Sequence, residues 1–272
     1  MAFHAVPGPF DLALTTERFR AFGVDKAAMW HEDGLHVAVD GEAGARELRI
    51  EAALGGVDVE PLDAETEPVV RTVLGLTFDL EPFYAWAAAD DVLGPATRRL
   101  QGFRPTLARD PFEMIVGAIT AQQVSLHSAG ATRNHLIEQF GTQVGNVWAF
   151  PLRERIAAAS EEELFALGFS RRKAEYTVGL ARSDFDLHEL AALPDDEVKS
   201  RLVALRGIGE WTADWFLARH LARPNAWPWG DLALRKAVAH LYGGLDVREA
   251  RKRFHPFENL SAHYLLLAHR LQ

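Results

Sequence analysis

Leu205-Arg206-Gly207-Ile208-Gly209-Glu210-Trp211-Thr212-Ala213 is the stretch whose reading decides the fold. An apolar-periodic run precedes it (Val198, Leu202, Val203, Leu205) and another follows (Ala213, Phe216, Leu217, Leu221). The pattern predicts helix, four-residue hairpin, helix. Gly207 and Gly209 flank one apolar residue, and both can take φ > 0 with no Cβ above the turn. The amides of Gly207, Ile208 and Gly209 would then point outward at the next helix's N-terminus, an arrangement suited to a phosphate. On this stretch alone, an ordinary glycine-turned helix connection fits as well.

The next twenty residues are unusual. Trp211, Trp215, Trp227 and Trp229 are four of the chain's seven tryptophans. Asp231 follows Pro228-Trp229-Gly230 and opens Leu232-Ala233-Leu234-Arg235-Lys236-Ala237-Val238, an apolar-periodic run. An aspartate there suits a helix N-cap. Trp211 and Trp215 stand one helical turn apart on one face, either as core residues or as the wall of a pocket.

Composition narrows the classes. The 272 residues suffice for two or three compact units. No apolar run is long enough to span a bilayer. The N-terminal Met1-Ala2-Phe3-His4-Ala5-Val6-Pro7 has no basic region followed by an apolar core, so no secretory signal is expected. The absence of cysteine excludes disulfides, thiol catalysis, cysteine-ligated zinc and iron–sulfur clusters. The histidines are scattered without metal-ligand spacing, and no protein-held transition metal is expected.

The net charge of −9 argues against a nucleic-acid partner until its distribution is read. Residues 1–100 hold 18 acidic and 8 basic side chains, and residues 101–272 hold 20 acidic and 21 basic. The acidity therefore belongs to the N-terminal part. Arg171-Arg172-Lys173, Arg219 with Arg223, and Arg248 with Arg251-Lys252-Arg253 form local basic spots, each readable as a solvated helix face. A near-neutral region with such spots can bind DNA through few phosphate contacts.

Along the chain, 35–41 and 47–52 alternate in period two, and Gly55-Gly56 separates 57–59 from them. This predicts an antiparallel sheet with one wet face. Leu80-Glu81-Pro82 starts a short helix with Phe83, Tyr84 and Trp86, and a linker is expected near 101–109. Asp110-Pro111-Phe112-Glu113 carries a cap, a first-turn proline and a glutamate at the capping-box position. Phe112, Ile115, Val116 and Ile119 then mark a buried stripe ending at Gln122-Gln123-Val124-Ser125. From there to Gln272 the pattern reads as helix and short connection: 151–158, 161–167, 171–182, 196–205, 210–222, 231–242, 247–253 and 257–271. The fold class is α+β, with an N-terminal antiparallel sheet domain (1–100) and a predominantly helical region (101–272).

The hairpin, the aspartate spaced after it, and the Gln122-Gln123-Val124-Ser125 segment together resemble the helix-hairpin-helix DNA glycosylase superfamily. Its mark is Leu-Pro-Gly-Ile/Val-Gly-x-x-Thr-Ala with an aspartate some twenty residues on; here Arg206 replaces the proline. Phe78-Asp79-Leu80 with Phe83-Tyr84, Leu100 through Pro105, Asp110 through Ser125, and Leu167 through Tyr176 are similar to its alkylated-base branch, the DNA-3-methyladenine glycosylase II type. The resemblance covers nearly the whole chain. It implies two helical subdomains with the active-site cleft between them.

What the resemblance implies chemically can be stated residue by residue. Asp231 would be the catalytic carboxylate, stabilising positive charge on the sugar as the N-glycosidic bond breaks and orienting water. A helix N-terminus would keep it ionised. Trp211 stands where bifunctional members carry a lysine, so no Schiff base can form there and no lyase activity is expected. Trp211 and Trp215 would wall a base pocket, since a cationic alkylpurine over an indole gains on the order of 0.5–2 kcal/mol. Gln123, with Gln122, would fill the gap left by a flipped nucleotide. Gly207, Ile208, Gly209 and Thr212 would hold phosphate, assisted by Arg171, Lys173 and Arg235, with a monovalent cation allowed at the hairpin. No redox cofactor and no catalytic metal are implied. Tyr264 or His263 could contribute to the pocket, and Glu161, Glu162 and Glu163 should face solvent. The partner would be duplex DNA with damaged bases and the state a cytoplasmic, nucleoid-associated monomer with no membrane contact. Two rivals remain: a glycosylase for deaminated or oxidised purines, and a non-catalytic damage-binding module.

Overall fold

The structure is a computed structural model that describes every residue except Asp33, Glu42 and Ala43. Five strands open the chain: β1 (Ala2–Ala5), β2 (Ala28–His31), β3 (Gly34–Val39), β4 (Arg46–Ala53) and β5 (Gly56–Glu60). They form one antiparallel sheet in the order β1-β5-β4-β3-β2. Register places Leu35 opposite Ile50, Val37 opposite Leu48, and Ile50 opposite Val59. These side chains share one face because side-chain direction alternates along each strand. Helices α1 (Leu12–Thr15), α2 (Arg18–Ala21) and α3 (Thr66–Val73) accompany the sheet. Val70, Val73 and Leu74 close the core over its apolar face.

The expected wet face is not wet throughout. β3 is buried at every position, including His36 and Ala38 on the second face. A small hairpin covers it: β6 (Thr142–Val144) and β7 (Val147–Ala149), whose Val147 and Ala149 pack on Ala38. This hairpin falls inside the stretch expected to be helix and connection. Three-residue strands carry too little alternation to register as a pattern.

Among the described residues, twelve further α-helices follow, with a short 3-10 helix at Glu189–Ala192 between the seventh and the eighth of them. They are α4 (Leu80–Ala87), α5 (Leu93–Arg99), α6 (Pro111–Ala121), α7 (Leu126–Phe140), α8 (Arg153–Ala158), α9 (Glu161–Ala166), α10 (Arg171–Arg182), α11 (Asp195–Val203), α12 (Glu210–Arg219), α13 (Leu232–Leu241), α14 (Val247–Arg253) and α15 (Glu258–Arg270). They gather in two cores. One holds the buried faces of α6 to α12, including Phe112, Ile115, Val116 and Ile119 as the stripe predicted. The other joins Phe83, Leu93 and Leu100 to Leu234, Val238, Phe254 and Tyr264. Thus α4 and α5 lie before residue 100 in sequence yet pack with the C-terminal helices. The expected linker is not an exposed tether either. Residues 102–107 are buried, and Arg104 Nη2 donates to Pro7 O at 2.7 Å.

Caps fix the helix starts. Asp110 Oδ1 accepts from Glu113 N at 2.7 Å, with Pro111 in the first turn. The Glu113 carboxylate does not turn back as a capping box; it pairs with Arg133 and Arg109. A full capping box appears instead at Ser160 and Glu163. Glu161, Glu162 and Glu163 are exposed, as expected.

Candidate active site

The hairpin joins α11 to α12. Gly207 has φ of +86°, in the left-handed region. A Cβ there would come within 2.2 Å of the Tyr176 ring, so glycine is required on both backbone and packing grounds. Gly209 differs from expectation. It is extended (φ −107°, ψ 177°) and has open space where a Cβ would stand. What it provides is access. It is the N-cap of α12 and offers no side chain, so the first N–H groups of the helix have no side-chain acceptor. An uncapped N-terminus with its dipole attracts an anion.

Side chains around the hairpin are largely committed. Ile208 is buried. Thr212 is 1% exposed, so its hydroxyl is shut away and only its amide shares in the helix N-terminus. Arg206 is exposed but pairs with Glu175 at 2.6 Å. Lys173 Nζ donates to Thr120 O at 2.9 Å, and burial lowers its pKa. Arg171 is exposed, with its guanidinium 4.7 Å from the Phe165 ring centroid. Arg235 lies exposed on α13, one turn from Asp231. Cations that the sequence offers to phosphate are thus partly spent on structure.

Two glutamines end α6. Gln122 Nε2 donates to Gly207 O at 2.9 Å, which ties this loop to the hairpin. Gln123 is exposed and held at φ +57°. The pair therefore divides: Gln122 fixes the loop and Gln123 projects from it.

Asp231 is the N-cap of α13. Oδ1 accepts from Leu234 N at 2.9 Å. Oδ2 accepts from Trp211 Nε1 at 2.9 Å and from Trp215 Nε1 at 3.1 Å. The sequence offered both tryptophans as core residues or as walls of a base pocket. In the structure their indole edges orient this carboxylate. Hydrogen bonds to a charged acceptor are the stronger kind, and three of them fix the carboxylate's rotamer. A carboxylate has about four lone-pair directions, so it can still face a reacting sugar or a water.

Trp215 is 5% exposed, and its ring face is already occupied. Arg219 places its guanidinium 4.3 Å from the Trp215 centroid, and His263 meets the same indole edge-on at 5.7 Å. Burial and the nearby Arg18 cation lower Arg219 to about 9, against the pull of Asp231. Burial and the cations of Arg219 and Arg18 hold His263 well below its ordinary value, so its imidazole is neutral at pH 7. Of the two C-terminal candidates, His263 reaches the site. Tyr264 does not; it is a core residue whose hydroxyl donates to Phe103 O at 2.7 Å. Arg219 was seen only as part of a basic spot. The signal that finds it is spacing, because 211, 215 and 219 recur every fourth residue on one face of α12.

Comparisons with known proteins bear on the family and the fold. The HhH-GPD superfamily base excision DNA repair protein model matches residues 116–260. A DNA-3-methyladenine glycosylase of Bacillus subtilis is 32% identical over 193 residues, covering 66% of this chain and 64% of the relative. The Escherichia coli DNA-3-methyladenine glycosylase 2 is 30% identical and covers 58% of each. This chain thus spans less than two thirds of the length of those relatives. A solved 3-methyladenine DNA-glycosylase from Archaeoglobus fulgidus superposes with a TM-score of 0.90 at 29% identity, over 99% of this chain and 98% of that one. The matched family segment covers more than half of the 272 residues, and the chain belongs to the HhH-GPD superfamily of base excision DNA repair proteins.

Proposed function

We propose that this protein is a monofunctional DNA glycosylase that flips alkylated purines out of duplex DNA and hydrolyses the N-glycosidic bond, leaving an abasic site. One observation carries the reading: Asp231, held by Trp211, Trp215 and Leu234, beside a hairpin whose helix N-terminus is uncapped. Phosphate binds the amides of Gly209, Glu210 and Trp211. Gln123 enters the gap left by the flipped nucleotide. As the bond to the base lengthens, positive charge grows on the sugar, and the Asp231 carboxylate stabilises it and orients water for attack on C1′. The electron pair of the broken bond leaves with the base.

With tryptophan at 211 there is no amine nucleophile in the hairpin helix, and the strand should stay intact. The named relatives support alkylated purines as the substrates. The scheme includes no redox cofactor and no catalytic metal, only a monovalent cation at the hairpin. The protein acts as a monomer on nucleoid DNA.

The test is a methylated duplex incubated with excess protein and a chelator. Released bases are identified by chromatography, and the strand is examined before and after hot alkali. Methylpurine release with breaks only after alkali is expected. Release abolished by the chelator, or an adduct trapped by borohydride, would contradict the scheme.

A further inference from the structure

Three guanidiniums line a small cavity where α1, α2, α12 and α15 meet. It measures about 40 Å³, and Arg18, Arg219 and Arg270 share its wall with Glu17 and His263. A water needs roughly 10–15 Å³ of such space, so a small inorganic anion can enter. The lining includes none of Trp211, Trp215 and Asp231, which makes the cavity a place apart from the carboxylate site.

Its charges do not balance. Arg270 pairs with Glu17, the one carboxylate of the lining among the described residues. Arg18 Nη1 donates to the neutral Thr106 hydroxyl at 3.3 Å. Asp25 and Glu113 act on Arg18 from further off, but both pair with Arg133. The Arg219 guanidinium lies over the Trp215 ring and makes no hydrogen bond and no ion pair among the described residues; its Nε is buried without an acceptor. Asp231 attracts it, yet the oxygens of that carboxylate already accept from Leu234, Trp211 and Trp215. His263 Nε2 is likewise buried without a partner.

Two cations thus meet at one cavity with no carboxylate of their own. Burying a charge is costly unless an opposite charge and hydrogen bonds compensate it. A guanidinium has donors only, so the compensating group must bring acceptors. A neutral imidazole can add one N–H to the same guest. We propose that this cavity is an anion-binding site, in which Arg18 and Arg219 hold a small inorganic anion such as chloride or phosphate and His263 is a third donor. The anion offsets the two cations and steadies Arg219 against Trp215, whose Nε1 orients Asp231. The inference does not depend on which base the protein excises. A free ion and a phosphate of the DNA backbone share this acceptor chemistry, and the test separates them.

The experiment follows the melting temperature of DNA-free protein at constant ionic strength while gluconate is replaced stepwise by chloride or by phosphate. Wild type, Arg219→Met, Arg18→Met and Gly209→Asp are compared. At least one of the two anions should raise the wild-type melting temperature along a saturating curve, by about 3 °C or more at ten times the half-saturating concentration. Arg219→Met and Arg18→Met should lose most of that rise. Gly209→Asp, which obstructs the hairpin amides instead, should keep it. A second readout needs no variant: bromide soaked into crystals of the wild-type protein should give an anomalous peak between Arg18 and Arg219. A melting temperature indifferent to both anions would overturn the inference. So would a rise lost in Gly209→Asp but kept in Arg219→Met, or bromide found only at the hairpin. The source of the anion is read from undamaged duplex in gluconate. An Arg219→Met affinity within about threefold of wild type leaves a free ion as the guest, and a loss of about tenfold or more makes it a backbone phosphate; the anion chemistry of the site stands in both cases.

Discussion

Gly207 and Gly209 look equivalent in sequence, and the structure predicts that alanine at each will fail differently. At Gly207 the backbone is at φ +86°, which costs an L-residue roughly 1–2 kcal/mol. The new Cβ would also sit 2.2 Å from the Tyr176 ring, so α10 or the hairpin must shift. Overpacking of this kind adds about 1–3 kcal/mol. The sum is about 2–5 kcal/mol, a fall in melting temperature of roughly 4–20 °C for a chain of this size. At Gly209 the backbone is extended and nothing lies within 4 Å of the new Cβ. Alanine there should leave stability within about 0.5 kcal/mol, as surface substitutions usually do. On the proposed function, that open space is the path by which a phosphate would reach the amides of α12. Gly209→Asp, which adds a negative charge on the path, should weaken binding to damaged and undamaged duplex alike by about tenfold or more. Calorimetry and fluorescence anisotropy on the same preparations separate the two effects. Equal melting temperatures for Gly207→Ala and wild type would refute the packing argument. Unchanged DNA affinity in Gly209→Asp would remove the hairpin as the anchor.

Other outcomes follow from the same geometry. Trp211→Phe deletes one of two indole donors to Asp231 Oδ2 and should slow single-turnover excision by about tenfold or more, since a hydrogen bond to a charged group is worth about 1.5–3 kcal/mol; an unchanged rate would mean the indole does not position the carboxylate. Lys173, Arg206 and Arg223 are engaged within the protein, so DNA affinity should fall only shallowly with salt, with a slope of log affinity against log salt of about −3 or less in size; a slope near −8 would show many more phosphate contacts. Burial pushes the Asp25 carboxyl up, but the charge and hydrogen bond of Arg133 outweigh that and hold it below the ordinary aspartate value. Its contribution is therefore full above the unfolded-state pKa near 3.8 and is lost as pH falls below it. Asp25→Asn should flatten the acid side of the stability curve in urea unfolding at pH 2.5–5, and an unaltered slope would count against the ion pair.

Local signals made much of this site legible. A glycine pair between apolar-periodic runs, an aspartate at a helix start, and a capped stripe ending in two glutamines are all statements about neighbours in the chain. What was not legible depends on distant residues. Arg18, Arg219, His263 and Arg270 meet around one cavity although they are spread from near one end of the chain to the other. Tyr176 under Gly207 explains that glycine better than the turn alone does. Thr212 could be placed at a helix N-terminus from its position, but whether its hydroxyl faced phosphate or the core depended on how α12 packs on α6 and α11. The basic clusters were visible as composition. Only coordinates show that Lys173 and Arg206 already have partners. The tryptophans were read as core residues or pocket walls; a pattern of aromatic residues does not reveal that their indole N–H groups donate to Asp231.

The most direct test of the central claim is the single-turnover excision rate of Asp231→Asn, measured beside its affinity for the same lesion-bearing duplex. Asparagine caps a helix about as well as aspartate, so the fold and α13 should survive. The account predicts a rate at least about a hundredfold below wild type, with the dissociation constant unchanged within about threefold. An Asp231→Asn protein that excises the base at the wild-type rate would contradict it.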